Sequence, residues 1–168
     1  LTTKQFKVKI IDDVVGLEIC GVTKNINAIA NGICEGMDIN ENARYGVLTK
    51  GFTETKDIIK SIGGEESTAS EYCGFGDLVL TSTSTESRNH TLGMLYGQRI
   101  IVDEKASGIV FEGKNSIMAV KDICENTGSV MYVAGHQGAF GLGIYWGSTS
   151  EEIDAEVAGE AVYQFLNA

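Results

Sequence analysis

The sequence has no proline and no long apolar run, and it carries an excess of negative charge. Without proline, no helix of the 168-residue chain carries a proline kink. No apolar run reaches the ~18 residues that a membrane span needs, and the opening residues lack the apolar segment of a signal peptide. With 13 Lys and Arg against 23 Asp and Glu, the net charge is -10, which argues against a broad surface for nucleic acid or anionic membranes. We expect a cytoplasmic protein with no membrane span and no nucleic-acid partner.

Cysteine and histidine are also few, and their spacing is not that of metal ligands or redox pairs. None of the four cysteines forms a C-x-x-C pair, so zinc and redox motifs are not expected. Cys20, Cys34 and Cys124 stand among apolar neighbours and are predicted to pack as small core residues. His90 and His136 have no partners at ligand spacing. We therefore expect free thiols, as in a reducing compartment, and no metal site.

The sequence also lacks a nucleotide-binding fingerprint. The sequence has neither a G-x-G-x-x-G motif after a strand nor a P-loop, and the segment 74–76 is too short to be such a motif. If the chain is part of a dinucleotide-dependent enzyme, its main cofactor domain is missing from this sequence.

Apolar periodicity and helix caps predict a mostly helical chain with one strand at its N-terminus. The β-branched residues 4–11 predict that strand. Helices are predicted over residues 14–33, 41–62, 77–84, 87–96, 112–126 and 150–166. Asn40 and Ser87 are the expected N-caps of the second and fourth of these helices. Residues 129–147 are rich in glycine and aromatic residues and show no clear period.

The first candidate for chemistry is Lys24, which lies in a segment that is apolar on almost every side. In a helix, Gly21 and Ala28 lie one turn before and after Lys24 on the same face, and they leave room beside the ammonium group. Because burying the charge without a partner would be costly, Lys24 is expected to face a cleft, a carboxylate or an anionic ligand. There it could exchange a proton with the ligand. The alternative is a lysine whose head group reaches solvent.

A second candidate is a polar stripe on the predicted helix 77–84. Asp77, Thr81 and Ser84 fall at positions i, i+4 and i+7 of an otherwise apolar turn. The carboxylate could pair with Lys24. The alternative is that Asp77 is an ordinary N-cap.

The third candidate is the start of the predicted helix 87–96. If Ser87 is the N-cap, Arg88 and Asn89 occupy the first turn of this helix. The amides and the positive dipole end of a helix favour a bound phosphate, and an arginine adds a bidentate donor. The alternative is a capped surface helix with a solvated arginine.

Taken in order, these segments resemble one family. They are GLEICGVTKNINAIANGI at 16–33, ENARYGVLTKG at 41–51, GFGDLVLTSTSTESRN at 74–89 and FEG at 111–113. Over about residues 12–128 the chain is similar to the C-terminal substrate-binding domain of NAD(P)-dependent glycerol-3-phosphate dehydrogenases. The resemblance implies a mainly α fold, the multi-helix C-terminal domain of the 6-phosphogluconate dehydrogenase type, over residues 13–168. Residues 1–12 would be the end of a Rossmann domain, with the predicted strand left from it.

The same resemblance implies roles for single residues. Lys24 and Asp77 match catalytic positions, with Lys24 as the proton acceptor for the 2-hydroxyl of glycerol 3-phosphate. The positions that match substrate-binding residues are Asn25, Thr81, Ser87, Arg88 and Asn89. The positions that match cofactor-binding residues are Arg88, Val110 and Glu112. The implied reaction is reversible hydride transfer between NAD or NADP and dihydroxyacetone phosphate, which feeds glycerophospholipid synthesis.

The implied partners are a small phosphorylated substrate, an N-terminal Rossmann domain and a second copy of the chain in a homodimer. Without the Rossmann domain the chain is expected to be inactive. The sequence departs from the family after Gly113, where the usual T-A-K is absent, and over residues 129–147. Two alternatives stay open: the helical domain of another NAD(P)-dependent dehydrogenase, of the 2-hydroxyacid or ketopantoate type, and a non-catalytic interaction module.

Overall fold

The computed structural model describes residues 2–100, 112–129, 131–136 and 142–146. Within these ranges the chain is mainly helical, as predicted. The predicted helix 150–166 and Val110 lie outside the described residues. None of the helices in the described part of the chain combines the length and the apolarity that crossing a bilayer requires.

Each helix predicted within these ranges is present. The helical segments are α1 (Val14–Gly36), α2 (Glu41–Ser61), a 3-10 helix (Glu66–Ser70), a π-helical turn (Tyr72–Gly76), α3 (Asp77–Thr83), α4 (Arg88–Gly97) and α5 (Glu112–Thr127). The five α-helices begin within one residue of the predicted starts. For α1, α2 and α4 the agreement follows from capping, because their cap residues mark where the helical backbone can begin.

Side-chain caps fix the first turns of α1, α2 and α4. Asn40 Oδ1 accepts from the amide three residues further on at 3.0 Å, and Ser87 Oγ does the same at 3.3 Å. Asp13 accepts from the amide of Gly16 at 3.0 Å and from the hydroxyl of Thr68 at 2.7 Å. The bond from Gly16, with the one from Thr68, lowers the pKa of Asp13 below its ordinary value. Asp13 therefore caps α1 and also joins its start to the 3-10 helix.

The second half of α1 is the centre of the core. Its residues are buried on nearly all sides, which is why the sequence there is apolar all round. The largest buried side chains around it are Ile26, Ile29, Ile58, Ile59, Leu92, Val120 and Met131. Cys20, Cys34 and Cys124 are free thiols buried in the same region, which confirms their prediction as core residues.

Helices α1 and α4 are in direct backbone contact, and glycines make this possible. The glycines at the crossing are Gly32, Gly36, Gly93 and Gly97. A Cβ on Gly32 would lie 2.1 Å from the carbonyl oxygen of His90. A Cβ on Gly93 would lie 2.2 Å from the carbonyl oxygen of Ile29. Since real Cβ atoms do not approach a carbonyl so closely, any larger residue at these positions would push the two helices apart.

The strand predicted over residues 4–11 is not formed. This segment has no strand geometry in the structure, and its apolar side chains are exposed, with Ile10 86% and Phe6 62% accessible. A β-strand is defined by hydrogen bonds to a neighbouring strand, and no described strand lies beside this segment. The β-branched composition was therefore not sufficient to form a strand there.

A two-stranded antiparallel hairpin follows α5. Its strands are β1 (Met131–His136) and β2 (Leu142–Trp146), with Met131 opposite Trp146 and Val133 opposite Ile144. The sequence predicts no regular element here because glycines interrupt the alternation of side chains on both strands. The enrichment in β-branched and aromatic residues is the signal that could have identified the hairpin.

Candidate functional site

Lys24 and Asp77 form an ion pair. Lys24 lies in the middle of α1 and Asp77 is the first residue of α3, and Lys24 Nζ donates to Asp77 Oδ2 at 2.5 Å. The side chains are 27% and 33% exposed, so both groups lie at the edge of the interior and remain open to solvent on one side. The second carboxylate oxygen accepts from the hydroxyl of Thr81 at 3.0 Å. The structure thus shows the pairing that the sequence suggested as one possibility.

The alternatives considered for Lys24 and Asp77 are not what the structure shows. The lysine is not a free surface group, because it is bound to a carboxylate 53 positions away in the sequence. Asp77 has Gly76 before it at the helix start and directs both oxygens to side chains. A Cβ added at Gly21 would meet no atom within 4 Å, so the space beside Lys24 on its helix face is open, as predicted from its small neighbours.

Asn25 and Asn89 form the second contact between predicted site residues. Asn89 Nδ2 donates to Asn25 Oδ1 at 3.0 Å, and Asn89 Oδ1 accepts from the backbone amide of Gly113 at 3.0 Å. Asn25 Nδ2 in turn donates to the carbonyl of Gly21 at 3.1 Å. The two amides therefore connect α1, α4 and the first turn of α5. Asn89 is buried, so it also supplies an acceptor to a helix amide that would otherwise lose water without compensation.

The start of α4 has the features expected of an anion site. Ser87 is the N-cap, and its side chain is engaged with the amide of His90. Arg88, in the first turn, is exposed, whereas Asn89 and His90 beside it are buried. A helix N-terminus with an accessible guanidinium group favours a phosphate or carboxylate ligand. Ser87 contributes to this site as the helix cap, because its hydroxyl oxygen accepts the hydrogen bond from the amide of His90.

The predicted residues fall into two contact groups on neighbouring positions of α1. One group contains Lys24, Asp77 and Thr81, and the other contains Asn25 and Asn89. Because the two groups begin at consecutive residues, the ion pair and the start of α4 are both attached to the same turn of α1. Ser84, the third residue of the polar stripe, is not part of either group; its hydroxyl accepts from the amide of Glu86 at 3.2 Å in the following turn.

The residues predicted to bind a dinucleotide are only partly described. Glu112 is the first residue of α5, close to the amide that Asn89 binds. Arg88 presents an exposed cation next to the same helix start. Such a cation fits one phosphate group of a dinucleotide, but these residues offer no cradle for the whole cofactor. Within the described ranges, no three His, Cys, Asp or Glu side chains are grouped so that they could hold a metal ion.

Cys20 lies one turn before Lys24 but is chemically inert. It is 2% exposed, and burial raises the pKa of its thiol to about 11. The thiol is therefore protonated at neutral pH and cannot act as a base or nucleophile beside the lysine.

One group of polar residues near the site was not recognised in the sequence. Glu35 Oε2 contacts Arg44 Nη2 at 2.5 Å and His90 Nε2 at 3.3 Å. Arg44 Nη2 also donates to Asn31 Oδ1 at 3.2 Å. The signal was available, since Asn31 and Glu35 stand one turn apart in the same apolar helix that made Lys24 conspicuous. We call Asn31, Glu35, Arg44 and His90 the Glu35 cluster; Asn31 and His90 are buried, and Glu35 and Arg44 are partly exposed.

Comparisons with known proteins agree on one group of relatives. The family described as "NAD-dependent glycerol-3-phosphate dehydrogenase C-terminus" matches residues 13–136. A "Glycerol-3-phosphate dehydrogenase [NAD(P)+] 2" of Lactobacillus delbrueckii subsp. bulgaricus is 37% identical over 124 residues, which are 73% of this chain and 37% of the relative. A "Glycerol-3-phosphate dehydrogenase [NAD(P)+]" of Coxiella burnetii is 40% identical over 112 residues, 66% of this chain and 34% of the relative.

Solved structures give the same result. A crystal structure of glycerol-3-phosphate dehydrogenase from Coxiella burnetii aligns with a TM-score of 0.73 at 30% identity, covering 98% of this chain and 49% of that one. A structure of "DsGPDH of Dunaliella salina" aligns with a TM-score of 0.64 at 28% identity, covering 74% of this chain and 26% of that one. The chain spans about a third of the length of the curated relatives it matches.

Proposed function

The chain belongs to the family of C-terminal domains of NAD-dependent glycerol-3-phosphate dehydrogenases, and on that premise we propose that it binds glycerol 3-phosphate and dihydroxyacetone phosphate for their interconversion with NAD or NADP. The observation that carries the proposal is the Lys24–Asp77 ion pair at 2.5 Å, set beside the Asn25–Asn89 contact at the start of α4. Lys24, the proposed proton donor, and Asn25, which holds the proposed phosphate-binding turn through Asn89, are consecutive residues of α1.

Lys24 is the acid–base group of the proposed reaction. In the direction of reduction its ammonium hydrogen-bonds the ketone oxygen and donates a proton to it as the alcohol forms; in oxidation the amine accepts the proton of the 2-hydroxyl. Asp77 holds the ammonium in place, and Thr81 holds the carboxylate through its second oxygen. This chain of contacts leaves the remaining donors of the ammonium for the substrate.

Arg88 and the start of α4 bind the substrate phosphate. The exposed guanidinium group can donate two parallel hydrogen bonds to phosphate oxygens, and the helix dipole favours the same anion. Asn89 is fixed between Asn25 and Gly113, so the turn that carries Arg88 is tied to α1 next to Lys24. With the phosphate held there, the carbon to be reduced is positioned near the ammonium group.

The dinucleotide supplies the hydride when bound. Arg88, Glu112 and Val110 are the proposed contributions of this chain to its binding, and most of the cofactor is held by an N-terminal Rossmann domain, the proposed partner of this chain. Exposed apolar side chains near the ion pair support a contact surface for such a domain: Tyr72 is 77%, Phe75 51% and Leu80 66% exposed. A homodimer is proposed from the family resemblance alone.

Arg88 gives the direct test of the proposed phosphate site. We expect R88A to weaken the binding of glycerol 3-phosphate to this chain at least about tenfold, because a bidentate charge-assisted contact is lost. Isothermal titration calorimetry on the 168-residue chain measures this change. R99A is the matched control, since Arg99 is an exposed arginine just beyond the opposite end of the same helix. Equal binding by R88A and R99A would contradict the proposal.

A further inference from the structure

His90 joins the exposed and the buried sides of the phosphate-binding turn. It is fully buried, although it lies two residues after the exposed Arg88 in the same first turn of α4. Its backbone amide donates to the Ser87 cap. The imidazole ring points away from the proposed ligand and into the interface of α4 with α1 and α2, so it takes no part in the chemistry described above.

The Glu35 cluster links three helices through a single carboxylate. One oxygen of Glu35, from α1, contacts the guanidinium group of Arg44 from α2 and the imidazole of His90 from α4. The arginine is fixed further, because its guanidinium donates to Asn31 Oδ1 and its backbone carbonyl accepts from Asn31 Nδ2. The carboxylate is therefore held by an arginine that cannot easily move, and His90 Nε2 lies 3.3 Å from that fixed point.

The glycine crossing alone does not determine the position of α4 along α1. Glycines at a helix contact allow close approach of the two backbones but present a smooth surface with no side chain to oppose sliding. Polar contacts in the same interface do oppose sliding, since a shift of α4 along α1 would break the Asn89–Asn25 hydrogen bond and separate His90 from Glu35. The imidazole therefore adds to the Asn25–Asn89 contact in fixing the register that the glycines leave open.

The charges around His90 are consistent with a neutral ring. Burial lowers the pKa of His90, the neighbouring Arg44 lowers it further, and Glu35 acts in the opposite direction. The backbone of Ser82 in α3 is the other group that faces the ring. A neutral imidazole can lie 3.3 Å from the Glu35 carboxylate without placing a second positive charge beside Arg44. Both ring nitrogens are buried, and neither makes a hydrogen bond of good geometry within the described residues.

We infer that His90 is a positioning residue, which through Glu35 and Arg44 holds the first turn of α4 so that Arg88 meets the substrate phosphate near Lys24. This inference rests on the proposed function. His90 touches neither substrate nor cofactor. The affinity for phosphate therefore depends partly on a residue outside the binding site.

Two amide substitutions separate this role from a general effect on folding. Glutamine can place its amide nitrogen close to where His90 Nε2 lies, whereas the shorter asparagine cannot reach Glu35. We expect H90N to raise the dissociation constant for glycerol 3-phosphate about fivefold or more, and H90Q to stay within about twofold of the unchanged chain. Calorimetry on the 168-residue chain gives the constants, and thermal unfolding shows whether each variant is folded.

The outcomes distinguish this inference from the proposed function. Wild-type affinity in folded H90N, alongside weakened R88A, would overturn the role of His90 and leave the phosphate site in place. Wild-type affinity in R88A would overturn the phosphate site itself. If H90N does not fold, the E35Q variant tests the positioning role instead. A glutamine at position 35 keeps only one acceptor oxygen for Arg44 and His90, so it weakens the contact from the other side. Weakened binding by folded E35Q supports the positioning role, and unchanged binding overturns it.

Discussion

Replacing Lys24 with alanine is expected to lower kcat for the reduction of dihydroxyacetone phosphate by about a hundredfold or more, because general acid–base catalysis contributes roughly that factor. The ammonium of Lys24 is the one group of the described site that can deliver a proton while held by a carboxylate, at 2.5 Å from Asp77. The measurement is steady-state kinetics with NADH and NADPH on a protein in which this chain follows a dinucleotide-binding domain, since the chain by itself is expected to be inactive.

The control for this substitution is K60A. Lys60 is an exposed lysine in the last turn of α2, so its removal changes the net charge equally and should leave kcat within about twofold, as for other surface substitutions. A fall of less than about tenfold in K24A would show that Lys24 does not transfer the proton.

Replacing Gly32 with alanine is expected to destabilise the chain by about 1–3 kcal/mol, the usual cost of overpacking. The new methyl group would lie 2.1 Å from the His90 carbonyl oxygen and 3.0 Å from the Met94 amide nitrogen, both on the backbone of α4. No side-chain rotation relieves these contacts, so α4 must move away from α1. Urea unfolding followed by circular dichroism measures the change in the free energy of unfolding.

The matched control is the same substitution at Gly21, in the same helix. A Cβ there meets no atom within 4 Å, so G21A should stabilise the chain by up to about 1 kcal/mol through the higher helix propensity of alanine. Opposite signs for the two substitutions would confirm the glycine crossing. A G32A chain as stable as G21A would show that the two backbones are not in contact.

The helices could be predicted from local information, and the tertiary contacts could not. Asn40 and Ser87 cap their own helices, so the sequence around them determines where α2 and α4 begin. The crossing of α1 with α4 depends on residues about 60 positions apart, such as Gly32 and Gly93, and no local pattern shows which glycines face each other. The strand predicted over 4–11 failed for the same reason, because a strand needs a partner that local composition does not provide.

At the site, too, single residues could be predicted from their local sequence, whereas their contacts with distant residues could not. Lys24 was identifiable because a lysine in an apolar helix needs a partner, and Asp77 because its stripe includes Thr81 one turn later. The hydrogen bonds of Asn89 to Asn25 and Gly113 were not predictable, since Asn89 was expected to face the ligand. The Glu35 cluster was missed because its residues come from three helices: Asn31 and Glu35 stand out in α1, but local sequence does not show that Arg44 and His90 join them.

The most direct test of the account is to map the binding of glycerol 3-phosphate on this chain by two-dimensional NMR. The account predicts saturable shifts centred on the backbone amides of Arg88 and Asn89, together with those of Lys24 and Asp77, because these residues line the proposed ligand site. An absence of saturable shifts, or shifts centred on a distant surface such as the exposed face of α2, would contradict it.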